Sequence, residues 1–301
     1  MATAGIDYTR DPTPPCSTPM KIPRSLQPLV DAGLIDEVVQ QLPSGKEATV
    51  YVVACGDEIR CAKAYRAAEN RSFKQASGYR EGRKARGSRD ARAAGRGSRH
   101  GRKVQEEEWQ SFEVDALYRL TGVGVRVPQP HGMHEGVLLM DLVLDEDGDP
   151  APQLGHVAMS PVQAREWHGF MIRQIVRMLC AGLIHGDLSE YNVLLGPDGP
   201  VIIDLPQAVN ASNNNSAFDL LARDVNNMRA TFSRAAPELA ETQYAREIWK
   251  LYEEGELLPE TPLTGIHVLD ETEADLDAVL DEIDDARREF EARELARSMG
   301  V

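Results

Sequence analysis

Residues 185–192 read His185-Gly186-Asp187-Leu188-Ser189-Glu190-Tyr191-Asn192, and Val201-Ile202-Ile203-Asp204 follows after a short interval. An Asp, an Asn five residues on, and a second Asp closing an apolar strand are the groups that phosphoryl transfer needs. One carboxylate, Asp187, can orient an attacking hydroxyl, while the Asn192 carboxamide and the Asp204 carboxylate can hold Mg²⁺ on a nucleotide. Mg²⁺ takes few carboxylates, with phosphate oxygens and waters completing its shell, so one Asp and one Asn suit it. Taken singly, Asp187 would serve as a turn residue and Asn192 as a hairpin cap. Their spacing together with the Ile202-Ile203-Asp204 strand end points to chemistry.

Three upstream segments could position a nucleotide. Ser44-Gly45-Lys46-Glu47-Ala48 lies between two strand-like stretches, and its short side chains let backbone N–H groups approach phosphates, with Ser44 and Lys46 adding contacts. It is not a Walker A loop, because the upstream glycine and the following Ser/Thr are missing. Lys63, in Arg60-Cys61-Ala62-Lys63-Ala64-Tyr65, is placed to meet α/β-phosphates, steadied by a helix carboxylate for which Glu113 is the choice. Val137–Val143 is an apolar strand ending where two lobes would meet. Its terminal backbone groups at Asp141 and Val143 can bond adenine, with Met140 lining the pocket and Leu194 of the later hairpin placed with them.

The elements that must carry these residues follow from periodicity. Ser25–Gln41 reads as a helix on Leu26, Leu29, Val30, Leu34, Val38 and Val39. Thr49–Ala54 and Ile59–Tyr65 alternate as strands about a Gly56-Asp57-Glu58 turn. Val104–Leu120 reads as a helix, Val125–Pro128 and Gly136–Val143 as strands, and Pro161–Ala181 as a long apolar-faced helix with the 185–192 motif on the loop after it. A hairpin at 193–203 and helices at Phe218–Phe232, Ala240–Glu253 and about Glu271–Arg297 complete the chain. This order is α+β: a small β-rich N-lobe with one main helix, then a mostly helical C-lobe, a bilobal protein-kinase-like fold. The divisions are a Pro- and Thr-rich segment 1–27 without stable structure, an N-lobe at 28–140, a C-lobe at 141–236 and a helical acidic extension at 237–301.

Charge is unevenly spread. The chain of 301 residues carries a net −15, yet residues 66–103 hold thirteen Lys or Arg against Glu69, Glu81 and Asp90. That segment is +10, so the remainder is −25, with nine acids and no base between Asp270 and Asp285. Residues 66–103 have almost no aliphatic side chains and read as a flexible basic insertion, able to grip RNA phosphates, a ribosome or an acidic partner. No stretch approaches the ~20 apolar residues that span a bilayer, and the four cysteines form no CxxC pair. The expectation is a cytoplasmic chain with reduced thiols, no membrane contact and no zinc.

With these residues in view, Ser44–Ala48, Ala62-Lys63-Ala64-Tyr65, residues 185–192 and Ile202-Ile203-Asp204 resemble the RIO family of atypical protein kinases, over roughly residues 35–235. The branch with a basic insertion after the strand lysine is the nearest in pattern. The resemblance implies ATP with Mg²⁺, or Mn²⁺ in its place, and phosphorylation of Ser or Thr, often in the enzyme itself. By resemblance Ser44 and Lys46 touch phosphates, Lys63 holds the α/β-phosphates, Asp187 is the catalytic aspartate, and Asn192 and Asp204 bind metal. In some family members the aspartate matching Asp204 is transiently phosphorylated, which implies ATPase-like cycling. Gly186 stands where ordinary kinases carry an Arg that reads activation-loop phosphate, and Asp204-Leu205-Pro206 replaces Asp-Phe-Gly, so no activation-loop switch is expected.

Two other readings remain at this point. Aminoglycoside- and choline-type phosphotransferases share the Asp187–Asn192 spacing and the second aspartate, but not the Ser44–Ala48 loop with a long basic insertion. A nucleotide-gated binding factor in ribosome assembly is the alternative that the +10 segment suggests.

Overall fold

The computed structural model describes residues 20–45, 48–66 and 112–266. Lys46, almost all of the basic insertion, most of segment 1–27 and the expected acidic helix at 271–297 lie outside the described residues.

The N-terminal part is a five-stranded antiparallel sheet in the order β1-β2-β3-β5-β4, formed by Glu37–Leu42 (β1), Ala48–Cys55 (β2), Glu58–Tyr65 (β3), Pro130–His134 (β4) and Val137–Asp141 (β5). The β2–β3 register pairs Val50 with Lys63 and Val52 with Cys61, and β3–β5 pairs Lys63 with Leu138 and Cys61 with Met140. Strand alternation puts these residues on one face and Tyr51, Val53, Ala62, Ala64, Val137 and Leu139 on the other. The second face is sealed by Leu26, Leu29, Ile35 and Val38. Each such buried aliphatic contributes roughly 1.5–3 kcal/mol. The first face is left for the cleft.

The segment before β1 differs from expectation. Only Gln27–Asp31 (α1) is helical, and Glu37–Leu42 is a strand. Leu26, Leu29, Val30 and Leu34 fit helical spacing, but Gly33 turns left-handed at φ 67° and ends the helix. Beyond it, β-branched Val38 and Val39 pack in the sheet. Residues 125–128 form no strand either. They run as a loop in which Arg126 donates its N–H to Gln174 and its carbonyl accepts from Ile202, and the strand begins at Pro130. Pro128 has no N–H to give a ladder.

Helical residues 112–122 (α2) lie between the sheet and the C-terminal part, which is built on Pro161–Cys180 (α3), Ala217–Ser233 (α4) and Tyr244–Glu253 (α5). Ser160 and Gln163 close a capping box at the start of α3. Two small antiparallel pairs join these helices: Leu183–Ile184 (β6) with Val209–Asn210 (β9), and Val193–Gly196 (β7) with Gly199–Ile202 (β8). One apolar cluster runs from Leu117 and Leu120 of α2 through Met171, Ile175 and Leu179 of α3 to Met228 and Phe232 of α4. Ala245, Ile248 and Leu257 join the same cluster, so residues 237–266 pack on the C-lobe. Among the described residues no helix is long and apolar enough to cross a membrane. Cys55, Cys61 and Cys180 are free thiols.

His168 of α3 is buried between the rings of Phe232 and Tyr244, and its Nε2 has no hydrogen-bond partner among the described residues. Burial, aided by the charge of Arg229, pulls its pKa down to about 4. The unfolded chain therefore binds a proton here between the usual 6.5 and about 4 that the native state does not, so stability falls as pH drops through that window. His168→Leu should flatten this acid limb, removing on the order of 2–3 kcal/mol of pH dependence in urea unfolding between pH 7 and 4.

Candidate active site

Lys63 sits in the middle of the cleft face of β3 and is 7% exposed. Its ammonium donates to Glu113 Oε1 at 2.7 Å and to Asp204 Oδ1 at 2.6 Å. Glu113, on the described part of α2, is 2% exposed, whereas the Asp204 side chain is 43% exposed. Desolvation lowers the lysine pKa, but the charges of Asp204 and Glu113 more than reverse it, and Lys63 is held well above its ordinary value. For Asp204, desolvation raises and the Lys63 charge lowers; the second effect prevails, and the carboxyl stays ionised below the usual range. Asp204 follows β8 with φ 67°, a left-handed conformation that Asp tolerates better than most residues.

The 185–192 segment is a tightly tied loop. Asp224, buried in the middle of α4, accepts from the N–H groups of Gly186 (2.7 Å) and Leu188 (2.9 Å), on either side of Asp187. Asn227 donates to the Leu188 carbonyl at 2.9 Å. Glu190 is held by Thr231 at 3.0 Å and Arg234 at 2.7 Å. His185 links the two motif segments: Nε2 meets the Ile203 carbonyl at 3.0 Å, and Nδ1 accepts from the Asp187 N–H at 3.3 Å. The Ile203 N–H donates to the Asn192 carbonyl at 3.0 Å. Gly186 has φ 79°, so a side chain at this position would be strained.

Asp187 is exposed, with Gln207 Nε2 at 3.4 Å from its Oδ2. Desolvation raises its pKa, partly offset by His185 and Arg223, with Asp204 adding to the rise. Asn192 gives its amide N–H to the Asp187 carbonyl at 2.8 Å, which turns its Oδ1 the other way.

Met140 is half-buried, packed against the C-lobe cluster from the cleft face. Asp141 is exposed; its N–H donates to Gln129 O, and its carboxylate meets His131 at 2.6 Å. The Val143 carbonyl accepts from the Ala151 N–H, and its side chain lies beside Gly196 of the β7–β8 turn. Leu194 is half-buried on β7 and bridges to Gln153. Ser44 is exposed in the loop before β2, close in sequence to Lys46, which is not described.

The structure therefore joins Lys63, Glu113 and Asp204 directly, and Asn192 to Asp187 through one bond from side-chain amide to main-chain carbonyl. The sequence reading missed Asp224. Its signal was present: an acid among Leu220, Leu221, Val225 and Met228, on the stripe of α4 that a helix buries.

The RIO domain family model matches residues 49–245. The chain belongs to the RIO family of serine/threonine protein kinases. It is 37% identical over 209 residues to the RIO-type serine/threonine-protein kinase Rio1 of Haloferax volcanii, covering 68% of this chain and 67% of that one. It is 33% identical over 204 residues to the RIO-type serine/threonine-protein kinase Rio1 of Methanocaldococcus jannaschii, covering 66% of this chain and 64% of that one. The human serine/threonine-protein kinase RIO1 is 30% identical over 208 residues, covering 68% of this chain but 35% of its own length. The chain thus spans about a third of the human relative. RIO membership accounts for the antiparallel sheet followed by helices, and a kinase of this family uses ATP with a divalent metal ion.

Asp224→Ala would remove the carboxylate that accepts from two buried N–H groups beside Asp187. It should cost about 2–5 kcal/mol in urea unfolding. It should also lower kcat about a hundredfold through misplacement of Asp187, with Mg·ATP affinity changed far less.

Proposed function

We propose that this chain transfers the γ-phosphoryl group of ATP to a Ser or Thr hydroxyl, on a protein substrate or on itself. The observation that carries the proposal is the Lys63 ammonium, shared between Glu113 of the N-lobe at 2.7 Å and Asp204 of the C-lobe at 2.6 Å. Lys63 takes the α/β-phosphates, with Ser44 and Lys46 of the preceding loop adding contacts. The Asp141 carbonyl and the Val143 N–H bond adenine, with Met140 and Leu194 against its faces. Asp187 accepts a hydrogen bond from the incoming hydroxyl through the oxygen that Gln207 leaves open, and so aligns it. Its raised pKa places the acid limb of activity above that of an ordinary carboxylate.

A carboxylate and a carboxamide fit a hard divalent ion, and Asp204 and Asn192 are the residues that would hold Mg²⁺, or Mn²⁺ in its place. Held there, such an ion would supply charge neutralisation on the phosphates. The ionised, exposed Asp204 also supports a second acceptor: its oxygen attacks the γ-phosphorus, ADP leaves, and the acyl phosphate is then hydrolysed. The +10 segment at 66–103 supports RNA or ribosome contact, in keeping with an assembly role inside the cell.

Radiolabelled γ-phosphate transfer tests the first claim. Wild type should label itself or a protein substrate, and Asp187→Ala should lose at least about a hundredfold; undiminished label in the variant sinks the role of Asp187. Label lost in acid and to hydroxylamine would place phosphate on Asp204, whereas label that survives acid would place it on a Ser or Thr hydroxyl. Deleting residues 71–102 should abolish a salt-sensitive association with RNA while ATP binding survives. Association that ignores both salt and the deletion removes that partner.

A further inference from the structure

Tyr65 has no part in the chemistry assigned above. It lies two positions beyond Lys63 on β3, so strand alternation puts it on the same face. Its register partner is Ala48, at the end of the loop before β2. The Tyr65 hydroxyl donates to Glu113 Oε2, while Oε1 of the same carboxylate accepts from Lys63 at 2.7 Å. The Lys63 ammonium also lies 5.5 Å from the centroid of the Tyr65 ring. One tyrosine thus touches both members of the pair, with its hydroxyl on the anion and its ring beside the cation. Burial, reinforced by the Glu113 charge, holds the phenol well above its ordinary pKa, so the hydroxyl keeps its proton and remains a donor.

An ammonium has three hydrogens. Glu113 and Asp204 take two. A glutamate bonded through one oxygen rotates about its last torsion, which is broad, and offers its second oxygen to the nearest donor. Beside Lys63 that donor is the third ammonium hydrogen. Tyr65 occupies that second oxygen. We propose that Tyr65 is a positioning residue for nucleotide binding: by saturating Glu113 Oε2 it fixes the carboxylate and keeps one Lys63 hydrogen for a phosphate oxygen. The proposal rests on the reading that this cleft takes ATP.

Calorimetric titration of Mg·ATP, with kcat and KM for phosphoryl transfer, on wild type, Tyr65→Phe, Glu113→Ala and the double variant tests it. Removing a hydrogen bond to a charged group should weaken Mg·ATP about tenfold or more in Tyr65→Phe. KM should rise with kcat held within about threefold, since the loss is in ground-state binding. Tyr65→Leu, which also removes the ring, should lose more than Tyr65→Phe. In the Glu113→Ala background, Tyr65→Phe should cost less than about twofold, because its target is gone. A merely structural tyrosine would lower the melting temperature of both backgrounds alike and add in full to Glu113→Ala. Full additivity, or wild-type affinity in Tyr65→Phe, overturns the proposal. A wild type that binds no Mg·ATP overturns instead the reading of the cleft, which is a separate result.

Discussion

The organising interaction is one buried ammonium between two carboxylates from different parts of the chain. Lys63 comes from the middle of the sheet, Glu113 from the helix behind it, and Asp204 from the end of a C-lobe hairpin. An isolated ion at this depth would cost several kcal/mol in lost hydration. Two close counter-charges reverse that penalty, which is why the lysine pKa rises despite burial. The arrangement constrains everything around it. The β2–β3–β5 register must hold Lys63 on the cleft face, α2 must enter with Glu113 pointing inward, and β7–β8 must end with its aspartate turned left-handed toward the sheet.

A second constraint serves the loop that bears Asp187. Loops are mobile unless a rigid scaffold ties down their backbone donors and acceptors. Here the helix beneath supplies the acceptors and donors. Asp224 takes the N–H groups on both sides of Asp187, and Asn227 and Thr231 pin the Leu188 carbonyl and the Glu190 side chain that follow. His185 then ties this loop to the strand leading into Asp204. The two acidic residues of the motif are thereby kept in register without any flexible segment between them.

How much of this was legible in the sequence depended on the range of the physics involved. The β2–β3 hairpin was legible because its alternation is local; spacing singled out Lys63, Asp187, Asn192 and Asp204 as candidates, and the structure brings Lys63 to Asp204 and Asn192 to Asp187. Glu113 could be named as the lysine's partner, although Glu106, Glu107 and Glu108 stand close by in sequence. The helix expected through residue 41 was not there, because a single left-handed glycine outweighs six apolar residues at helical spacing. The strand expected at 125–128 was displaced, since Arg126 is bonded by α3 and β8 rather than by a neighbour in sequence. The roles of Asp224 and Tyr65 depend on partners 36 to 48 residues away. Nothing in local pattern reveals where such partners will meet.

Counting formal charge within the cleft has a consequence of its own. Among the three groups in direct contact, Lys63 contributes +1 and Glu113 and Asp204 −2, while the Asp187 charge is offset by the nearby Arg223. A polyphosphate oxygen approaching Lys63 would therefore meet two carboxylates held against the same ammonium. With both carboxylates already on the ammonium, the field at Lys63 is that of a compensated group rather than of a free cation, so any anion that reaches it competes with Glu113 and Asp204 for its hydrogens.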